Sequence, residues 1–277
     1  MNLPRLLCPT GLAIAMTALS LHAEPAAPAA VTTPSQWQGS RVAFLGDSIT
    51  DKCHVGTTKN YWQYLGEELG LEYLVYGING HDWNGVMGQA QRLKAEQGDR
   101  VDAIFIFAGT NDFNGGCPLG TWWEMTQETI NSHGKTLTKP RRRLSLDTRT
   151  LRGRINRVLA YLRQEFPQQQ LVLMTPIHRG YANFGGSNVQ PEESFPNDAG
   201  IYLESYVEVL REAADIWATE LIDLYRISGL HPLTASHSAF FHDAKTDLLH
   251  PSAAGHFRIA QAMKYRMLAM PASFRQP

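Results

Sequence analysis

The chain is short of one-signed charge, of cysteine and of long apolar runs. Its 25 Lys and Arg against 26 Asp and Glu leave a formal net charge of −1. Without an excess of either sign there is no field to gather nucleic acid or an anionic membrane surface, so neither partner is expected. The most apolar segment, residues 6–21, is interrupted by Pro9, Thr10, Thr17 and Ser20. It falls short of the roughly 20 apolar residues of a comfortable membrane span, so no stable membrane insertion is expected. There is no internal repeat. Cysteine occurs three times, at positions 8, 53 and 117.

What is present is ordinary globular material. The 277 residues are 43% hydrophobic and 18% charged, enough to bury one substantial core. Arg5, the apolar stretch after it and the small residue Ala23 form the pattern of a secretory signal peptide over residues 1–23. That pattern leads to an expectation of a secreted or periplasmic protein. Cys8 lies too early, and lacks a small residue before it, to resemble a lipoprotein cysteine. Residues 24–38, rich in Ala and Pro, read as a linker with almost nothing to bury, which leaves one domain over 39–277. Loss of the leader leaves Cys53 and Cys117, which an oxidising compartment permits to form one disulfide or to remain two free thiols.

Along the domain, β-type apolar runs alternate with helical stripes, the signature of βα units around a mostly parallel sheet. Strands are expected at 41–45, 73–76, 103–107, 171–174 and 221–223, several of them continuously apolar as if covered on both faces. Leu151, Ile155, Val158, Leu159, Leu162 and Phe166 fall at helical spacing, as do Leu203, Tyr206, Val207, Leu210, Ala214 and Trp217. Both stripes read as core. Ser252 is placed to cap a last helix through Ile259, Ala260 and Met263. Two long connections, 113–147 and 177–199, break the rhythm. Each follows the carboxyl end of a strand, where open α/β sheets bind ligands, so both read as binding loops or lids. Arg141, Arg142 and Arg143 in the first read as a solvated loop cluster.

The chemistry-bearing residues sit at those strand ends. Gly46-Asp47-Ser48 follows the first strand, Gly77-Ile78-Asn79-Gly80 the second and Gly109-Thr110-Asn111-Asp112 the third; Asp247-Leu248-Leu249-His250-Pro251 stands near the C-terminus. In this order the four blocks resemble the signature blocks of the SGNH hydrolases, also called the GDSL esterase/lipase superfamily, over roughly residues 42–259. The second block has Asn79 where the family often has Ser. The resemblance implies a three-layer α/β/α sandwich, flavodoxin-like, with a five-stranded sheet. It also implies a carboxylic ester hydrolase with Ser48 as nucleophile, His250 as general base and Asp247 orienting it. The oxyanion hole would combine the backbone N–H groups of Ser48 and Gly80 with the Asn111 side-chain amide. No cofactor or metal is implied.

Physical chemistry supports the same set. In a doubly wound sheet of order 2-1-3-4-5 the loops after the first three strands meet at one edge, which would gather Ser48, Gly80 and Asn111. A serine hydroxyl needs a base to accept its proton, and histidine's ordinary pKa of about 6.5 suits that task. An Asp three residues before the imidazole can fix its tautomer. His231-Pro232 imitates His250-Pro251, but Ser228 stands where a carboxylate is needed, and His242 merely adjoins Asp243; both read as exposed or hydrogen-bonded histidines. Asp47 and Asp112 invite a metal reading, but hydrogen bonding within the turns is the simpler role. Cys53 and Cys117 follow Ser48 and Asn111 on adjacent strands, so a disulfide across the site mouth is one expectation to test.

For substrate, Tyr61, Trp62, Trp83, Trp122 and Trp123 lie on segments expected near the site, and flat aromatics stack on sugars as readily as on acyl chains. With no broad apolar lid, the expectation is removal of a short acyl group, acetyl foremost, from a carbohydrate or glycan ester. The alternatives are a lysophospholipase or thioesterase of the same fold, a metal-dependent phosphoesterase, and a non-catalytic glycan-binding module.

Overall fold

The apolar run that opens the domain becomes β1, Arg41–Gly46, with every residue after Arg41 buried. The computed structural model describes residues 35–275, so the proposed signal peptide and most of the linker lie outside the described residues. After β1 come α1 (Tyr61–Leu69), β2 (Glu72–Val75), α2 (Trp83–Gln97), β3 (Ala103–Phe107) and α3 (Thr110–Asn114). A hairpin follows, β4 (Trp123–Ser132) and β5 (Lys135–Leu144), then α4 (Leu151–Glu165), β6 (Gln170–Met174), β7 (Ala182–Asn183) and β8 (Val189–Gln190). The chain closes with α5 (Leu203–Trp217), β9 (Glu220–Ile222), α6 (Leu224–Ile227), a 3-10 turn at Ala235–Phe240, β10 (Phe241–Asp243), β11 (Asp247–Pro251) and α7 (Ala253–Met267). No described helix is long and apolar enough to cross a membrane.

Five strands form one parallel sheet in the order β2-β1-β3-β6-β9, the doubly wound order anticipated from the sequence. Side-chain alternation splits the core between its two faces. Ala43, Leu45, Ile104, Ile106, Leu171 and Leu173 join the cluster that contains the apolar stripes of α2, α4 and α5. Val42, Phe44, Phe105, Phe107, Val172 and Met174 join the cluster of α1 and α7. A sheet apolar on both faces must be covered twice, and the three layers follow. Side chains cap α2, α4 and α7: Asp82 accepts from Gly85 N at 3.0 Å, Thr150 from Gly153 N at 3.4 Å and Ser252 from Gly255 N at 3.5 Å.

The structure corrects the reading of 113–147 and of where the domain starts, and adds strands to 177–199, whose reading as a binding loop stands. Residues 113–147 are not an open loop. Most of them form a ten-residue-per-strand antiparallel hairpin, Trp123 opposite Leu144 and Ser132 opposite Lys135. The arginine cluster is therefore a strand with alternating faces. Arg141 and Arg143 both pair with Glu128, whereas Arg142 lies over the Trp123 ring, 5.0 Å from its centroid. Residues 177–199 carry β7 and β8, which extend β10-β11 into a small four-stranded sheet. Finally, the domain starts earlier than residue 39. Trp37 is fully buried with its indole N–H donated to Met267 O at 2.6 Å, and Gln36 Nε2 donates to Met270 O at 2.6 Å.

Candidate active site

At the end of β1 the chain turns sharply beneath β3. A Cβ on Gly46 would lie 2.3 Å from Phe107 O, so only glycine fits that approach. The Gln89 side chain of α2 clamps the same residue, accepting from Gly46 N at 2.9 Å and donating to Gly46 O at 2.7 Å. Asp47 then opens a single turn. Its carboxylate accepts from Ile49 N at 3.0 Å, and its carbonyl from Thr50 N and Asp51 N. Burial pushes the Asp47 carboxyl up to about 7, against the opposing pull of the Ile49 N–H and of His250. Tyr61 and Trp62 support the turn, with Tyr61 Oη 3.0 Å from Thr50 Oγ1 and Trp62 Nε1 donating to Thr50 O at 3.0 Å.

Strand β11 brings Asp247 and His250. Asp247 Oδ1 accepts from Leu249 N at 3.1 Å and His250 N at 3.0 Å, while Oδ2 lies 2.9 Å from His250 Nδ1. Burial alone would raise the Asp247 carboxyl. The hydrogen bonds from His250 and Leu249 outweigh it and hold the group below its ordinary value. A carboxylate can only accept, so the imidazole proton sits on Nδ1 and leaves Nε2 a lone pair. That nitrogen is 2.9 Å from Ser48 Oγ. Residues 177–199 brace this strand: Gly180 N donates to Leu248 O at 2.8 Å, and Leu248 N to Tyr181 O at 2.9 Å.

The loops after β2 and β3 are tied to the Ser48 turn and to each other. Asp51 accepts from Cys53 N at 2.8 Å and from Asn79 N at 2.7 Å, setting the peptide that precedes Gly80. Gly80 has φ +80°, which glycine adopts without strain, and a Cβ there would meet nothing. Asn111 Nδ2 donates one hydrogen to His81 O at 2.9 Å, which leaves the other for a ligand. Asp112 accepts from Trp83 N at 3.1 Å and from Arg154 Nη1 at 2.8 Å, and the same nitrogen donates to Asp82 at 2.9 Å. Burial lifts the Asp112 carboxyl to about 6, with Arg154 pulling it down and Asp82 pushing it up. Asp47 and Asp112 are thus spent on holding turns. The backbone N–H groups of Ser48 and Gly80 donate to no acceptor among the described residues.

A cavity of about 410 Å³ opens over these groups and is lined by Ser48, Gly80, Asn111 and His250. Its remaining lining includes Asn79, Asn114, Phe184, Asn188 and Gln190. Residues 177–199 contribute the last three; Asn114 stands one helical turn after Asn111. Their signal in the sequence was the length of the connection alone. The Phe184 ring lies 5.4 Å from the His250 ring.

The aromatic residues expected around the substrate are elsewhere. Tyr61, Trp62 and Trp83 are buried in the core. Trp122 and Trp123 line a separate cleft with Arg152 and Glu212, where Glu212 accepts the Trp122 indole N–H at 2.6 Å. Nor is there a disulfide across the site mouth, because both thiols are free. Cys53 is exposed, whereas Cys117 is buried in the cluster of α2, α4 and α5. His231 and His242 are exposed and engaged outside the Ser48 cavity, with Thr234 Oγ1 at 3.0 Å and Gly56 O at 3.0 Å.

A doubly wound sheet with a serine, a histidine and an aspartate chained at its carboxyl edge defines a hydrolase of the α/β/α sandwich class. Residues 44–258 match the GDSL-like Lipase/Acylhydrolase family, and the chain belongs to that family of carboxylic ester hydrolases. The fold is similar to that of a Lactobacillus plantarum protein of known structure (25% identity, TM-score 0.64, 83% of this chain and 97% of that one). It also resembles a possible lipase from Chitinophaga pinensis (22%, TM-score 0.61, 83% and 98%). A GDSL-like lipase from Bacteroides thetaiotaomicron shares the fold at 15% identity (TM-score 0.51, 82% and 87%). No curated protein sequence matches this chain significantly.

Proposed function

We propose that the chain hydrolyses a short acyl ester, acetyl foremost, of a carbohydrate or glycan through an acyl-enzyme on Ser48. The observation that carries the reading is the unbroken chain Ser48 Oγ–His250 Nε2–Asp247, with 2.9 Å at each link. Ser48 Oγ attacks the ester carbonyl as His250 Nε2 takes its proton, and Asp247 stabilises the imidazolium that forms. The oxyanion is received by the N–H groups of Ser48 and Gly80 and by the free Asn111 amide hydrogen. One such donor contributes about 10²–10³ in rate. His250 then returns the proton to the leaving alcohol, and water, activated in turn by His250, releases the acid.

The substrate assignment draws on the cavity lining. Asn79, Asn111, Asn114, Asn188 and Gln190 offer amide donors and acceptors suited to sugar hydroxyls, with Phe184 the aromatic surface beside the base. At about 410 Å³ the cavity lies at the small end of ligand sites, which run from about 300 to 1,000 Å³, and suits a short acyl group better than a fatty chain. A series of p-nitrophenyl acetate, butyrate and octanoate, followed by acetylated glycans, tests this. Activity should fall with chain length, survive EDTA and vanish in Ser48→Ala. A preference for octanoate would contradict the short-acyl assignment, and chelator-sensitive phosphate release would point to a phosphoesterase.

A further inference from the structure

Outside the Ser48 cavity, three metal-ligating side chains converge from separate stretches of chain. One ligand atom each of His178, Glu193 and His231 lies within 4.8 Å of the other two. His178 and Glu193 belong to the long connection after β6, and His231 to the segment after α6. Two histidines and a carboxylate are a donor set that borderline divalent ions such as Zn²⁺ favour. We propose that this cluster is a binding site for a divalent transition-metal ion of the zinc type, and that the ion pins the connection bearing the cavity wall to the segment at residues 228–234.

Each donor is already held by a neighbour, as ligands in metal sites are. Glu193 is buried; its Oε2 accepts from Arg179 N at 2.9 Å, which turns Oε1 towards His178 Nδ1 at 2.5 Å. The His178 ring is stacked on Tyr225 with 3.7 Å between centroids. His231 Nδ1 lies 3.0 Å from Thr234 Oγ1, so Nε2 remains for a metal, and its ring centroid is 5.0 Å from that of His178. An ion would take the place of the hydrogen bond between His178 and Glu193, each giving it a lone pair. His231 supplies the third ligand and solvent the rest.

The consequence reaches the cavity through Arg179. This buried side chain donates from Nη2 to Gln190 Oε1 at 2.7 Å, and Gln190 lines the cavity. Glu193 Oε2 accepts from Arg179 N, so an ion on Glu193 also fixes the backbone of Arg179 and, beyond it, the Gln190 side of the cavity. The role is structural, and ester hydrolysis needs no metal at this position.

Isothermal titration of the tag-free protein with Zn²⁺, after chelation and dialysis into metal-free buffer, tests the site without recourse to activity. The expected result is one ion per chain with a rise in melting temperature. His231→Ala, at an exposed position that leaves the apo melting temperature unchanged, should weaken uptake at least about tenfold. His133→Asn, at an exposed histidine in the β4-β5 turn, should leave uptake intact. No stoichiometric uptake by the wild type, equal uptake by His231→Ala, or equal loss in His133→Asn would overturn the proposal.

Discussion

Gln89 grips Gly46 with both ends of its amide, donating to the carbonyl at 2.7 Å and accepting from the N–H at 2.9 Å. The residue gripped is two before Ser48, so a glutamine buried on α2 sets where the Ser48 turn begins. Replacing it by Leu leaves the buried Gly46 N–H unpaired, at about 1–3 kcal/mol, while Gly46 O keeps the Ile78 N–H at 3.1 Å. Gln89→Leu should lower the melting temperature and reduce kcat about tenfold or more, with KM little changed. An unchanged kcat in a folded variant would show that the turn holds itself.

The buried carboxyls give stability a pH slope of a particular sign. Burial raises Asp47 to about 7 and Asp112 to about 6. An acid whose folded pKa is raised contributes stability in full below its unfolded value, about 3.9, and loses it as pH rises through the folded value. Wild-type stability should therefore carry a declining component from about pH 4 up to about 7. Asp47→Asn, which keeps the acceptor for Ile49 N, should remove the Asp47 share in melting curves taken from acid to mildly alkaline pH, leaving the Asp112 share up to about pH 6. Asp247 has the opposite sign. Its hydrogen bonds to His250 hold it low, so its contribution disappears as pH falls below the ordinary carboxylate range.

Arg154 joins the loops after β2 and β3 to α4 through one nitrogen, at 2.8 Å from Asp112 and 2.9 Å from Asp82. The Asp112 side chain is fully buried, and removing its partner strands a charge. Arg154→Met should cost roughly 3–5 kcal/mol in chemical denaturation. Adding Asp112→Asn should recover part of that loss; a double variant no more stable than the single one would assign the cost to packing instead.

The two domain thiols should behave differently. Cys53 is exposed, and its neighbour Asp51 raises its pKa, so its labelling by a thiol reagent should keep accelerating above the ordinary thiol range near about 8.5. Burial pushes Cys117 up to about 11, so it should react only on unfolding. Two equally fast thiols, or none before reduction, would contradict this arrangement.

Much of this was legible beforehand because it rests on period and position. Strands buried on both faces read as continuous apolar runs, and β3 was located to the residue. Doubly wound order then brings the ends of β1, β2 and β3 together, which is why Ser48, Gly80 and Asn111 share one cavity. The β4-β5 hairpin escaped because none of its residues is buried, most are exposed, and they carry no apolar alternation; pairs such as Glu128 with Arg141 join its strands instead. Strands β7 and β8 are two residues long; β7 takes its shape from β11 and β8 from β7, not from local preference. The tryptophans misled because proximity in sequence to a catalytic loop does not say which face of a helix a side chain occupies. Trp62 and Trp83 point into the core on opposite sides of the sheet.

The proposed hydrolysis turns on Ser48 as the attacking group. Its most direct test is to treat the wild type and the Ser48→Ala, His250→Ala and Asp247→Asn variants with a fluorophosphonate and locate the adduct by peptide mass spectrometry. The expected result is one adduct per wild-type chain on Ser48, none in Ser48→Ala, and labelling slowed by several orders of magnitude in His250→Ala. An adduct on another residue, or undiminished ester turnover by Ser48→Ala, would contradict it.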